Sequence, residues 1–193
     1  MPIKKLFYTT LDELLVEKLS SEEWTDTIPL IKKLRIAKRR GWLEKDELID
    51  ICKWKSPRAI WHIKSNRKDT IRNVTGAAFC CRNEPAKIKE LTKLKGVSIP
   101  MASAILTLTN PRRYGVIDIR VWEVLFHMGT VKTNPKGAGF KFEEWGEYLT
   151  ILRYYAAALN VKARDIERTI FMVHKNNQKG LVYGSSTTIK KNM

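Results

Sequence analysis

Apolar residues recur at helical intervals along most of this chain. Leu11, Leu14, Leu15 and Leu19 form one stripe, which predicts an amphipathic helix over Leu11–Leu19. Pro29 opens a second segment with Leu30, Ile31, Leu34 and Ala37 inward and Lys32, Lys33, Arg35, Arg39 and Arg40 largely outward. Gly41 closes it. Glu44–Trp54 reads as a third helix, and Ser56-Pro57 supplies an N-cap and first-turn proline for a fourth. Thr70–Cys80 continues the pattern, and Pro85 starts a helix running to Leu94 with Ile88, Leu91 and Leu94 on one side. Past Gly129, TVKTNPKGAGFK reads as an exposed loop. Glu143–Leu159, with Trp145, Tyr148, Leu149 and Leu152 on its apolar face, and Ala163–His174 are again helical. With no internal repeat and no run of strands, the pattern predicts an all-α chain. Residues 1–175 read as one domain, followed by an aperiodic basic tail, 176–193, expected to be mobile.

Charge adds a partner to this picture. The 193 residues carry 36 Lys+Arg against 20 Asp+Glu, a formal net charge of +16. So basic a domain is expected to seek a polyanion, nucleic acid before an anionic membrane surface; a solubilising excess or a growth-temperature adaptation is the plainer alternative. The apolar runs break within a few residues, which predicts no membrane span, and the N-terminus has neither a secretory nor a transit pattern. The three cysteines, Cys52, Cys80 and Cys81, lack disulfide or metal-site spacing. They predict a reducing, cytoplasmic setting (at the nucleoid in a prokaryote) without metal or cofactor, with Cys80 and Cys81 as small buried hydrophobes.

The candidate chemistry lies between Leu91 and Leu125, LTKLKGVSIPMASAILTLTNPRRYGVIDIRVWEVL. Lys95-Gly96-Val97-Ser98 has room only for a tight hairpin, and Gly96 permits a positive φ. Ser98 is placed to cap the next helix, Pro100 lacks an amide that its first turn would orphan, and Met101, Ala104, Ile105 and Leu108 pack that helix back on the first. The hairpin amides and the positive helix end then suit a phosphate, beside Lys93 and Lys95. An ordinary αα-hairpin with a capped turn has the same signature. Further on, the apolar approach Tyr114-Gly115-Val116-Ile117 leads to Asp118, a natural N-cap for the helix carrying Val121, Trp122, Leu125 and Phe126. Capping amides would also hold its carboxylate ionised and oriented.

These two elements together resemble the helix-hairpin-helix, Gly/Pro-Asp superfamily of DNA base-excision glycosylases. LKGVSIPMASAIL is similar to that family's hairpin, VIDIRVWEVL to the segment bearing its catalytic aspartate, and ARDIERTIFMVHK to the closing helix of its short members. The resemblance implies a two-lobed helical fold with the helix-hairpin-helix at about 86–108 and a monomer acting on duplex DNA with a damaged or mismatched base. It implies Asp118 as the catalytic residue, with the base flipped into a pocket between the lobes. Gly96, Val97 and Ser98 would grip a phosphate with Lys93 and Lys95, and Arg112, Arg113 and Arg120 are either neighbouring phosphate contacts or solvated charges. There are departures: the second hairpin glycine is Ser98, the family's four-cysteine iron–sulfur loop is absent, and Pro100 stands where strand-cleaving members carry an imine-forming lysine. The implied enzyme is therefore monofunctional, leaving an abasic site without strand cleavage.

Two other readings stay open. One is a non-catalytic helix-hairpin-helix DNA-binding protein in which Asp118 only caps a helix. The other is a lyase using another amine, such as Lys64 or Lys175. Among Trp61, His62, Trp145, Tyr148, Tyr154 and Tyr155, most are expected in the core and one or two against a flipped base. His62, His127 and His174 are expected to be hydrogen-bonded structural residues, and Lys38-Arg39-Arg40 a solvated helix end or a DNA flank.

Overall fold

The computed structural model describes residues 6–177 of the chain, and in these ten α-helices and one 3-10 turn form, with no strand. The helices are α1 (Leu11–Lys18), α2 (Thr27–Arg40), α3 (Lys45–Lys55), α4 (Ile60–Lys64), α5 (Lys68–Cys80), α6 (Glu84–Leu91), α7 (Ile99–Thr109), α8 (Ile119–His127), α9 (Phe142–Ala158) and α10 (Ala163–Asn177). The all-α expectation holds, and most ends follow local chemistry. Thr10 and Glu13 form a capping box on α1, Gly41 ends α2 at a φ of 98°, and Asn83 caps α6 by accepting the Ala86 amide.

Four boundaries depart from the sequence pattern. Helix α2 begins two residues before Pro29, because first-turn amides have no intrahelical partner and a proline there loses nothing. Ser56-Pro57 opens a 3-10 turn, Pro57–Ala59, before the short α4, with no capping bond from the Ser56 side chain. Helix α6 stops at Leu91, and tight turns bonded Lys93 to Glu90 and Leu94 to Leu91 carry the chain to the hairpin. Helix α10 continues through Asn176 and Asn177, so these two are not tail, and residues 178–193 lie outside the described residues. Cys80 is exposed and Cys81 half-buried, since they fall at the open end of α5; only Cys52 is buried. No helix among the described residues is long and apolar enough to cross a membrane.

Helix α7 is the axis of the core. Apart from Pro100 all of its residues are buried, against α2, α3 and α6. Each fully buried Leu or Ile on it stabilises by roughly 1.5–3 kcal/mol relative to exposure. A second group forms where α10 packs on α1, α8 and α9, and α6 against α9 joins the groups. The segment between α1 and α2 is strapped to α10 by ions: Glu23 pairs with Arg164 and Arg168, and the Arg164 guanidinium lies between the Trp24 and Trp54 rings. A buried Arg is tolerable only with such partners.

Candidate active site

Asp118 opens α8 as its N-cap, as its place before an apolar helical run predicts. Its backbone is extended and its Oδ1 accepts the Val121 amide at 3.2 Å. The approach to it is fixed from two sides. Ser103 on α7 accepts the Ile117 amide at 3.1 Å and donates to the Pro100 carbonyl at 2.8 Å. The buried Tyr148 hydroxyl donates to the Val116 carbonyl at 2.9 Å. Gly115 leaves no room for a side chain, since a Cβ there would lie 2.5 Å from Leu152 and 2.6 Å from Glu167.

The second carboxylate oxygen has a partner that sequence reasoning missed. The Lys55 ammonium, at the end of α3, donates to Asp118 Oδ2 at 2.9 Å, and the two side chains keep 17% and 16% of their surface exposed. Sixty-three residues separate them in sequence. Both open into a cavity of about 490 Å³ that also meets Gly96, Ser98 and Pro100 of the hairpin. Its far wall is the loop read as exposed. Gly137 is buried against Ile119, and Phe140 lines the cavity while packing edge-on to Trp122.

The hairpin has the expected turn, with Gly96 at a φ of 80°. Its back is packed: a Cβ on Gly96 would come within 2.8 Å of the His62 Cβ. Asn66, buried and overlooked in the sequence, clamps the Lys95 backbone from both ends, accepting its amide and donating to its carbonyl, each at 2.9 Å. The Val97 amide is consumed inside the turn by the Leu94 carbonyl, so Val97 cannot offer it to a phosphate. The amides of Gly96 and Ser98 carry no hydrogen bond among the described residues. Ser98 stands at the N-cap of α7, but its hydroxyl makes no capping bond. Lys95 is exposed beside this edge, and Lys93, also exposed, pairs with Glu90 at 2.5 Å.

Arg120, in the first turn of α8, lines the cavity. Its Nη1 donates to His174 Nδ1 at 3.1 Å, and His174 Nε2 meets Glu123 Oε2 at 2.7 Å. Because a guanidinium only donates, Nδ1 must be the bare nitrogen and Nε2 carries the hydrogen given to Glu123. Burial first, and Arg120 with it, hold the His174 pKa below its usual value despite Glu123, so the ring is neutral at neutral pH. Beneath lies Glu167, wholly covered and bonded to Arg164; burial pushes its carboxyl up more than the guanidinium pulls it down.

Other candidates fall elsewhere. Arg112 and Arg113 follow the far end of α7, a helix of 11 residues and hence about 16 Å long. Arg113 pairs there with Glu84, alongside Arg153, and the Arg112 carbonyl accepts the first amide of α10. Neither lines the cavity, because the length of α7 carries them away from the hairpin. Lys64 and Lys175 are exposed and also outside it. None of the six aromatic-ring candidates faces it: Trp145 and Tyr148 are core, Tyr155 is bonded to Asp12, and Trp61 (80% exposed), Tyr154 and His62 lie at the surface. His127 is exposed, leaving His174 as the buried structural histidine. In the basic run Lys38 and Arg39 are exposed while Arg40 pairs with Glu47.

The arrangement is thus an oriented carboxylate and a primary amine inside a concave site, beside a hairpin edge with two unengaged amides. No family model, curated protein or solved structure matches the chain.

Proposed function

We propose that the chain is a DNA base-excision N-glycosylase that removes a damaged or mismatched base with Asp118 at its chemical centre. The observation that carries this reading is the placement of the Asp118 carboxylate, fixed by the Val121 amide and Lys55, in a cavity rimmed by the Gly96–Ser98 hairpin edge. The hairpin holds one backbone phosphate through the Gly96 and Ser98 amides, with Lys95 adding charge. The helices around α7 and those around α10 act as two lobes, and the flipped nucleotide enters the cavity between hairpin and α8. As the glycosidic bond lengthens, positive charge grows on the sugar, and the anionic Asp118 stabilises it. A net charge of +16 supplies the general attraction to duplex DNA.

Phe140 is the ring available to contact the extruded base. A purely binding module has no use for a carboxylate facing phosphates, which it would repel, so the setting favours catalysis over binding alone.

The test is Asp118→Asn on a panel of duplexes, each bearing one modified base. Asparagine caps a helix as well as aspartate does. The variant should fold and bind DNA but lose about 10²–10³-fold or more in base release. Excision that survives the substitution removes Asp118 from the role.

A further inference from the structure

The expectation of simple base removal rested on Pro100, which has no amine to offer. The cavity nevertheless contains one. Lys55 reaches it from α3, and its side chain is largely covered. Asp118 is its ion-pair partner, at 2.9 Å. Ammonium and carboxylate thus stand within a single proton transfer of each other, on the wall of the cavity. Lys64 and Lys175, the amines that the sequence singled out, lack every one of these features.

We infer that Lys55 is a catalytic nucleophile that forms an imine with the deoxyribose, so that the enzyme cleaves the DNA strand after removing the base. This deepens the glycosylase reading and rests on it for the first step. The base leaves with the electron pair of the glycosidic bond while the anionic Asp118 stabilises the sugar cation. Lys55 then passes a proton to Asp118, and the neutral Nζ attacks C1′ to form the C1′–N bond. The base takes a second proton from the alkylated nitrogen. The sugar ring then opens as the nitrogen lone pair forms C1′=N and O4′ takes the proton held by Asp118. Lys55 is left as a protonated imine and Asp118 as a carboxylate. Asp118 next removes a C2′ proton, the electrons form C2′=C3′, and the C3′–O bond breaks to release the downstream strand with its 5′ phosphate. Water hydrolyses the protonated imine to an aldehyde and the Lys55 ammonium, and Asp118 gives its proton to solvent, which restores the starting pair. The step resembles that of the lysine-bearing members of the superfamily, but the amine arrives from α3 rather than from the hairpin.

A duplex carrying one abasic site tests this directly, because its aldehyde condenses with an amine, losing water, without any base being recognised. Incubated with borohydride, the wild-type protein should give a covalent adduct mapped by peptide sequencing to Lys55, and without reductant it should nick the strand. Lys55→Arg retains the positive charge beside Asp118 but cannot form an imine. It should lose adduct and nicking by at least about a hundredfold while melting near the wild type. Lys175→Ala should retain both. An adduct that persists in Lys55→Arg, maps elsewhere or never forms overturns the role of Lys55. Base release from a modified duplex without adduct leaves the glycosylase reading standing. Nicking of abasic DNA with no release from any modified duplex removes the glycosylase reading and keeps the imine.

Discussion

Asn66 holds Lys95 by both backbone polar groups, accepting its N–H and donating to its C=O, each at 2.9 Å. One side chain thereby joins the end of α4 to the hairpin that follows α6. The two contacts act on backbone, so Lys95 can be exchanged without touching them, whereas Asn66 cannot.

Asn66→Ala should therefore cost about 2 kcal/mol, since it leaves the Lys95 amide and carbonyl without their protein partner. In a domain of this size that is a fall of roughly 4–8 °C in Tm, read by thermal denaturation. A change below about 1 °C would mean that the clamp contributes little.

Gly96→Ala and Gly129→Ala form a matched pair. Both glycines have positive φ, 80° and 67°, but a Cβ at Gly129 meets nothing within 4 Å while one at Gly96 meets the His62 Cβ at 2.8 Å. The left-handed backbone alone should cost Gly129→Ala about 1–2 kcal/mol. Gly96→Ala should lose a further 1–3 kcal/mol from overpacking, measured by denaturant unfolding.

Lys95→Ala and Arg113→Ala should separate in their salt dependence. If Lys95 neutralises one phosphate, its removal lowers the slope of log K against log [salt] by about 0.9. Arg113, engaged by Glu84 at the far end of α7, should leave the slope unchanged. Fluorescence anisotropy at several salt concentrations reads both, and equal effects would place the DNA on a different face.

Acid should destabilise the protein through His174. Its native pKa is depressed, so between that value and the ordinary 6.5 the unfolded chain binds the proton and the native state does not. The His174 contribution is complete above about pH 6.5 and is lost as the pH falls from there through the depressed native pKa. Protonation of Nδ1 also ejects Arg120 from its hydrogen bond. Unfolding free energies at pH 7.5 and 5.5 should show a smaller acid loss for His174→Gln than for the wild type.

Ser103→Ala should cost about 1–3 kcal/mol, because the buried Ile117 amide loses its acceptor. Base release should fall with it as Asp118 loosens. A variant equally stable by urea titration would show that Tyr148 on Val116 suffices to hold the approach.

What the sequence disclosed was local. Asp118 as an N-cap, the positive φ at Gly96 and the stop at Gly41 each follow from a few adjacent residues, and the helical period then defines the all-α class. What it concealed was long-range. Nothing near Lys55 distinguishes it from the other lysines until α3 is packed against α7 and its tip meets α8. Asn66 reads as a turn residue until the hairpin arrives 29 positions later. Arg112 and Arg113 seemed neighbours of the motif because they lie between its halves in sequence, and the length of α7 separates them in space. The Gly137–Phe140 wall is legible only in retrospect: a small-residue loop read as solvent is small because Gly137 abuts the α8 backbone.

Ser103 bonds both to Pro100, one residue into α7, and to Ile117, next to Asp118. The hairpin edge and the carboxylate are thus mounted on one buried rod. On the proposed reading that rod is a ruler: with a phosphate gripped at the hairpin, the DNA backbone leading to the attacked sugar would bend to fit the interval that α7 sets.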